Sequence, residues 1–228
     1  MEQLIEFAKT FAIAAHSAIG QKRKGSDIPY WRHPEQVANI VTRYHPVPAL
    51  ITAAWLHDVL EDTQSEKKDI AYAFLNSRTL PDKAAIEMTK AMKILSELTD
   101  EFKGTPGVNR LYRVSAEILR HSRCDLDGFW IVKIGDVLSN LSCKDTVDLS
   151  FLPVFLSETY TLMTMAPERI KALPIYRDLM VEFDKYEEEV QFKESLRAAT
   201  YRATIKTLNA KFPNTFTQEQ LRDYFTSK

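Results

Sequence analysis

Leu4, Ile5, Phe7, Ala8, Phe11, Ala12 and Ala15 recur at spacings of three and four, a pattern that predicts an amphipathic helix over residues 2–19. Gly, Ser, Asp and Pro break that period between Gly20 and Pro34, so this stretch reads as a loop carrying Arg23, Lys24, Tyr30 and His33. Pro34 can start a helix through about Tyr44, and Pro46 and Pro48 punctuate the chain beyond it. Ala49 to Asp62 reads as one buried helix, apolar on every side until its polar end. Further helices are predicted at roughly 65–77, 81–98, 108–121 and 127–145, each with Pro or Gly near a boundary. No alternating strand pattern is present, and the predicted fold class is all-α.

From Leu149 the composition changes. Pro153, Pro167 and Pro174 interrupt helices, and a long charged segment runs from Ile175 to about Ala210. Ile175, Leu179, Phe183, Tyr186 and Val190 mark its apolar stripe, with Glu187, Glu188 and Glu189 on the solvated side. The division expected is a domain over 1–148 and a C-terminal helical extension over 149–228 packing on it. An apolar stripe serves a core as readily as an interface, so a homo-oligomer stays open.

Charge narrows the partners. Thirty basic against thirty-one acidic residues give a formal net charge of −1, so no global field favours nucleic acid or an anionic membrane. The apolar run from Ala49 to Leu56 is too short to span a bilayer, and Glu2 and Glu6 stand where a signal peptide is basic. Cys124 and Cys143 form no C-x-x-C pair, which fits a reducing cytoplasm.

The segment Trp55-Leu56-His57-Asp58-Val59-Leu60-Glu61-Asp62-Thr63 sets four ionisable groups behind an apolar run. On a helix His57 aligns with Glu61, and Asp58 with Glu61 and Asp62. Carboxylates held together resist simultaneous ionisation unless a cation compensates them, and an imidazole–carboxylate set suits Mn²⁺, Fe²⁺ or Zn²⁺. The plainer alternative is a satisfied core histidine beside acids that begin a loop. Two further segments weigh against it: His33 before Pro34, and Asp136 with Asn140 at i, i+4 inside an apolar helix, where polar groups need partners. His16, His45 and His121 lack spaced partners and read as structural or exposed. Asn109, Arg110 and Arg113 read as exposed helix residues, with an extension of the phosphate patch as the alternative.

The histidine before Pro34, the His57-Asp58 doublet and Asp136 resemble the H…HD…D signature of the HD superfamily. More narrowly, Arg23-Lys24-Gly25-Ser26-Asp27-Ile28-Pro29-Tyr30, His33-Pro34, His57 through Thr63, and Lys133-Ile134-Gly135-Asp136 with Asn140 resemble the hydrolase domain of RelA/SpoT proteins and the small stand-alone alarmone hydrolases. The resemblance spans residues 8 to 145. It implies an HD-type helical bundle with one divalent metal, typically Mn²⁺, held by His33, His57, Asp58 and Asp136. It implies that Glu61 and Asp62 orient or deprotonate the attacking water, and that Arg23, Lys24, Tyr30 and Asn140 bind the nucleotide.

The function expected is Mn²⁺-dependent removal of the 3′-pyrophosphate from guanosine tetra- or pentaphosphate. The alternatives are the same site acting on NADPH or deoxynucleotides, and a noncatalytic nucleotide-binding or antitoxin-like module.

Overall fold

A computed structural model describes residues 2–77, 83–142 and 150–226, and among these the backbone is all-α. Its β-type pairing is an isolated bridge between Lys22 and Pro29. The first residues of the helix expected at 81–98, the last of that expected at 127–145, the 148/149 boundary and Cys143 lie outside the described residues.

The chain groups into two compact units. The first comprises Met1–Thr99, Leu126–Asp148 and Ala172–Leu179, and holds α1 (Glu2–Ala18), α2 (Arg32–Tyr44), α3 (Pro48–Leu56), α4 (Val59–Asp62), α5 (Lys67–Leu75), α6 (Ala84–Leu98) and α8 (Asp127–Ser142). Its centre is α3. Every residue from Ala49 to Leu56 is buried, as an apolar surface on all sides requires, and α1, α2, α6 and α8 pack around it. Pro48 sits in its first turn, where the missing N–H costs no hydrogen bond.

Here the structure corrects one expectation. The helix expected over Ala49–Asp62 is two helices, because α3 ends at Leu56 and the short α4 restarts at Val59. Asp58 turns at φ −93° and ψ −8°, and its carbonyl accepts from Glu61 N–H at 3.2 Å and Asp62 N–H at 2.9 Å. The break places the His57-Asp58 pair at a helix junction.

Close packing of α2 and α8 joins the other half of the site. Gly135 makes this possible: a Cβ there would lie 3.1 Å from Val41 Cγ2 and 3.5 Å from Val37 Cγ1. Gly20, at φ +61°, stops α1, and Gly25, at φ +74°, turns the loop between α1 and α2. That loop closes on itself through Arg23 N–H to Ile28 O (2.8 Å) and Tyr30 N–H to Gln21 O (2.9 Å).

The second unit comprises Asp100–Asp125, Leu149–Lys171 and Met180–Lys228. In it α7 (Arg110–Ser122), α9 (Leu152–Thr164) and α12 (Leu196–Lys211) pack on one another, with α10 (Glu168–Lys171) and α13 (Gln218–Thr226) alongside. Asn109 caps α7 by accepting from Tyr112 N–H at 3.2 Å. Arg110 is exposed, as expected, and also forks onto Glu158 at 3.0 and 2.7 Å.

The charged segment expected to run to Ala210 is likewise divided. α11 (Pro174–Val190) buries Ile175, Leu179, Phe183 and Tyr186 as the stripe predicts, then ends at Gln191, whose φ is +51°. Ser195 caps α12 from its side chain to Ala198 N–H at 3.2 Å.

Candidate metal centre and active site

Four elements of the first unit deliver the polar groups expected from the sequence: the start of α2 carries His33, the α3–α4 junction His57 and Asp58, α4 Glu61 and Asp62, and α8 Asp136 and Asn140. His33 and His57 are buried, with side chains 2% and 4% exposed. Their Nε2 atoms lie 3.3 Å apart. Asp58 Oδ2 is 3.1 Å from His57 Nε2 and 3.5 Å from His33 Nε2, while Asp136 Oδ1 is 3.1 Å from His33 Nε2 and 3.8 Å from His57 Nε2. Two imidazoles and two carboxylates therefore point at one spot.

The far side of each ring fixes its tautomer. His57 Nδ1 faces the Ala54 carbonyl at 2.9 Å, and a carbonyl only accepts, so Nδ1 carries the hydrogen. Ser139 Oγ gives its hydrogen to Gln36 Oε1 at 3.1 Å and therefore accepts from His33 Nδ1 at 3.0 Å. With Nδ1 carrying a hydrogen on each ring, it is Nε2 of each that faces the other ring and the two carboxylates. Such a cluster calls for a positive charge among its acceptors, supplied by a proton on an imidazole Nε2 or by a metal ion that these residues could hold.

The same imbalance appears in proton affinity. Burial opposes charge on His57, yet Asp58 and Asp136 outweigh it and raise its pKa well above the ordinary imidazole value. Burial pushes the Asp58 carboxyl up, but His57 and His33 hold it below the usual range. Asp136 is held well below that range against its own burial by Lys133 and both histidines. Lys133 Nζ reaches Asp136 Oδ2 at 3.1 Å.

Around this centre Asn140 donates from Nδ2 to Asp136 Oδ1 at 2.8 Å and accepts at Oδ1 from Arg23 Nη2 at 3.2 Å. The Tyr30 hydroxyl donates to Asp58 Oδ2 at 2.7 Å. Burial and the surrounding carboxylates push the Tyr30 pKa far above its usual value, so the hydroxyl stays a donor. Asp62 accepts from Gln21 Nε2 at 3.1 Å, and Glu61 is half-buried on the same short helix. Lys24 is exposed on the loop.

Sequence reasoning missed Ser139, Gln36, Gln21 and the place of His16. Ser139 was findable, since it lies three residues past Asp136 on α8 and shares its face. Gln21 and Gln36 carried no signal, because an amide on a loop or helix is common. His16 is wholly buried and bonded to Gln21, among the structural outcomes expected for it.

In the second unit Asp100, Glu117 and His121 also bring potential ligand atoms within 4.8 Å of one another. Arg120 Nε donates to Glu117 Oε2 at 2.9 Å and Phe102 N–H to its other oxygen. A cation is already built into that group.

Residues 8–79 match the family model of the HD domain, and the span contains His33, His57 and Asp58. Asp136 and Asn140 join its site from outside the matched span. The chain is 29% identical over 115 residues to GTP pyrophosphokinase rsh of Brucella ovis, covering 45% of this chain and 15% of that protein. It is 22% identical over 165 residues to the probable guanosine-3′,5′-bis(diphosphate) 3′-pyrophosphohydrolase of Mycoplasma pneumoniae, covering 70% and 21% respectively. It thus spans less than a quarter of either relative. Among solved structures, a metazoan ortholog of SpoT that hydrolyzes ppGpp matches with a TM-score of 0.60 at 16% identity, over 83% of this chain and 96% of that one. At that identity the likeness concerns the fold alone. Among the described residues no helix is long and apolar enough to cross a membrane.

Proposed function

We propose that this chain is a metal-dependent phosphohydrolase that removes the 3′-pyrophosphate of guanosine tetra- or pentaphosphate, with Mn²⁺ as its ion. The observation that carries the reading is the convergence of two imidazole Nε2 atoms and two carboxylates at one buried spot. The names of the Mycoplasma relative and the metazoan structure support the choice of substrate. The two cysteines fit a reducing cytoplasm.

In this reading His33, His57, Asp58 and Asp136 hold the ion. When bound, a divalent ion supplies Lewis-acid polarisation of a phosphoryl oxygen and makes water a competent nucleophile near neutral pH. Nδ1–H bonds to Ala54 and Ser139 keep both rings aimed, and the Tyr30 hydroxyl fixes the Asp58 carboxylate. Glu61 and Asp62 accept the water proton at their carboxylate oxygens. Arg23 and Lys24 meet phosphate charge, and Asn140 sits where one amide touches both Arg23 and Asp136. Tyr30, with the Arg23 guanidinium 6.0 Å over its ring, offers an aromatic surface beside the phosphates.

The test is a substrate panel: guanosine tetraphosphate, NADPH and the deoxynucleoside triphosphates, each incubated with Mn²⁺ and separated by ion-exchange chromatography. The reading requires GDP and pyrophosphate from the first. Turnover of another member with none of guanosine tetraphosphate would reject the substrate and keep the site.

A further inference from the structure

Asp62 ends α4, and its carboxylate, when ionised, can only accept hydrogen bonds. Gln21 lies 41 residues earlier, just past α1, and donates from Nε2 to Asp62 Oδ2 at 3.1 Å. That contact fixes the amide's orientation, so Gln21 Oε1 faces His16 Nδ1 at 2.6 Å. A carbonyl oxygen only accepts, and Nδ1 of His16 must carry the hydrogen. Each bond therefore sets the polarity of the next, from buried histidine to amide to carboxylate.

His16 is built for this. It is fully buried, its ring packs 5.0 Å from that of Tyr30, and its Nε2 has no hydrogen-bond partner among the described residues. Leaving a buried acceptor unserved is costly, and a ring needed only for filling space is met more cheaply by an apolar side chain. The backbone repeats the link, because Gly20 at φ +61° turns the chain so that Gln21 N–H reaches the His16 carbonyl at 3.1 Å.

We propose that His16 and Gln21 are positioning residues that hold the Asp62 carboxylate in its working orientation through the chain His16 Nδ1–H to Gln21 to Asp62. This rests on the phosphohydrolase reading, in which Asp62 handles the water proton. Neither residue touches the ion or the substrate, and their effect falls on turnover rather than on substrate or metal binding.

The test compares His16→Leu, which keeps bulk and removes the donor, with His16→Asn, whose Nδ2–H takes the place of Nδ1–H. His16→Leu should lower kcat about 10- to 100-fold, as loss of an outer-shell partner does, with KM and bound Mn²⁺ unchanged. His16→Asn should keep kcat within about threefold of wild type, because the donor is restored. Equal loss in both variants, or loss in neither, overturns the proposal. Nitrogen-15 NMR of the wild-type histidines reads the wiring without activity: His16 should show Nδ1–H and a bare Nε2, and the opposite tautomer overturns it. A wild-type protein silent on every member of the substrate panel that still shows the Nδ1–H tautomer would instead fault the phosphohydrolase reading.

Discussion

His33 Nε2 and His57 Nε2 face each other across 3.3 Å, each ring locked from its far side by a bond at Nδ1. Two nitrogens so placed between two carboxylates are stable only around a positive charge. The capacity to hold a cation thus lies in hydrogen-bond polarity as much as in the identity of the four side chains.

The acids of α4 should separate from the ligands in their effects. Glu61→Gln and Asp62→Asn are expected to keep one bound metal per chain while losing about 10²- to 10⁴-fold in kcat, the range for a lost general base. Metal analysis alongside steady-state kinetics checks this. A metal-free Glu61→Gln protein would move Glu61 into the ligand set.

Gly135 sets how closely α8 approaches α2. A Cβ there already meets Val41 Cγ2 at 3.1 Å, so the branched side chain of Gly135→Val must push Asp136 away from His33. Overpacking of this kind costs about 1–3 kcal/mol. Urea denaturation should register that loss, and a metal titration should show affinity down about tenfold or more.

His16 gives a pH signature. Its pKa is lowered from the ordinary 6.5, chiefly by burial and against the pull of Gln21, Asp58 and Asp62. Below pH 6.5 the unfolded chain therefore binds more protons at this residue than the folded one, so its contribution to stability rises with pH there and is lost on acidification. The unfolding free energy of wild type should fall more steeply from about pH 7 to about pH 5 than that of His16→Asn; parallel curves would contradict the assignment.

In the second unit Glu158 accepts from Arg110 at 3.0 and 2.7 Å and from the Tyr201 hydroxyl at 2.5 Å. Glu158→Leu strands that buried hydroxyl. The Arg110 side chain is 53% exposed and can rehydrate, so the expected loss is about 2 kcal/mol rather than the larger cost of a fully buried broken pair. Thermal unfolding of this variant beside Tyr201→Phe measures it.

The sequence made the centre legible where chemistry contradicts its surroundings. His57-Asp58 interrupts an apolar run, and Asp136 with Asn140 sits in a helix otherwise buried, so each pair demanded a partner. The helix junction at Asp58 was not legible, because Trp55, Leu56, Val59 and Leu60 continue an apolar pattern that a single buried helix would also satisfy. The break at Gln191 was hidden for a related reason: Glu187, Glu188, Glu189 and Gln191 are good helix formers, and the end is marked by contacts that composition does not show, Glu187 Oε2 accepting Lys193 N–H at 2.9 Å among them. The grouping of Asp100–Asp125 with the C-terminal residues likewise depends on packing between stretches distant in sequence.

The central claim, that His33, His57, Asp58 and Asp136 form one metal centre that drives hydrolysis, is tested most directly by titrating Mn²⁺ into metal-free protein while measuring pyrophosphate release from guanosine tetraphosphate. The account predicts a rate that rises with bound metal and levels at one ion per chain, and an Asp58→Ala protein that binds no ion and releases no pyrophosphate. Release undiminished in chelator, or by Asp58→Ala, would contradict it.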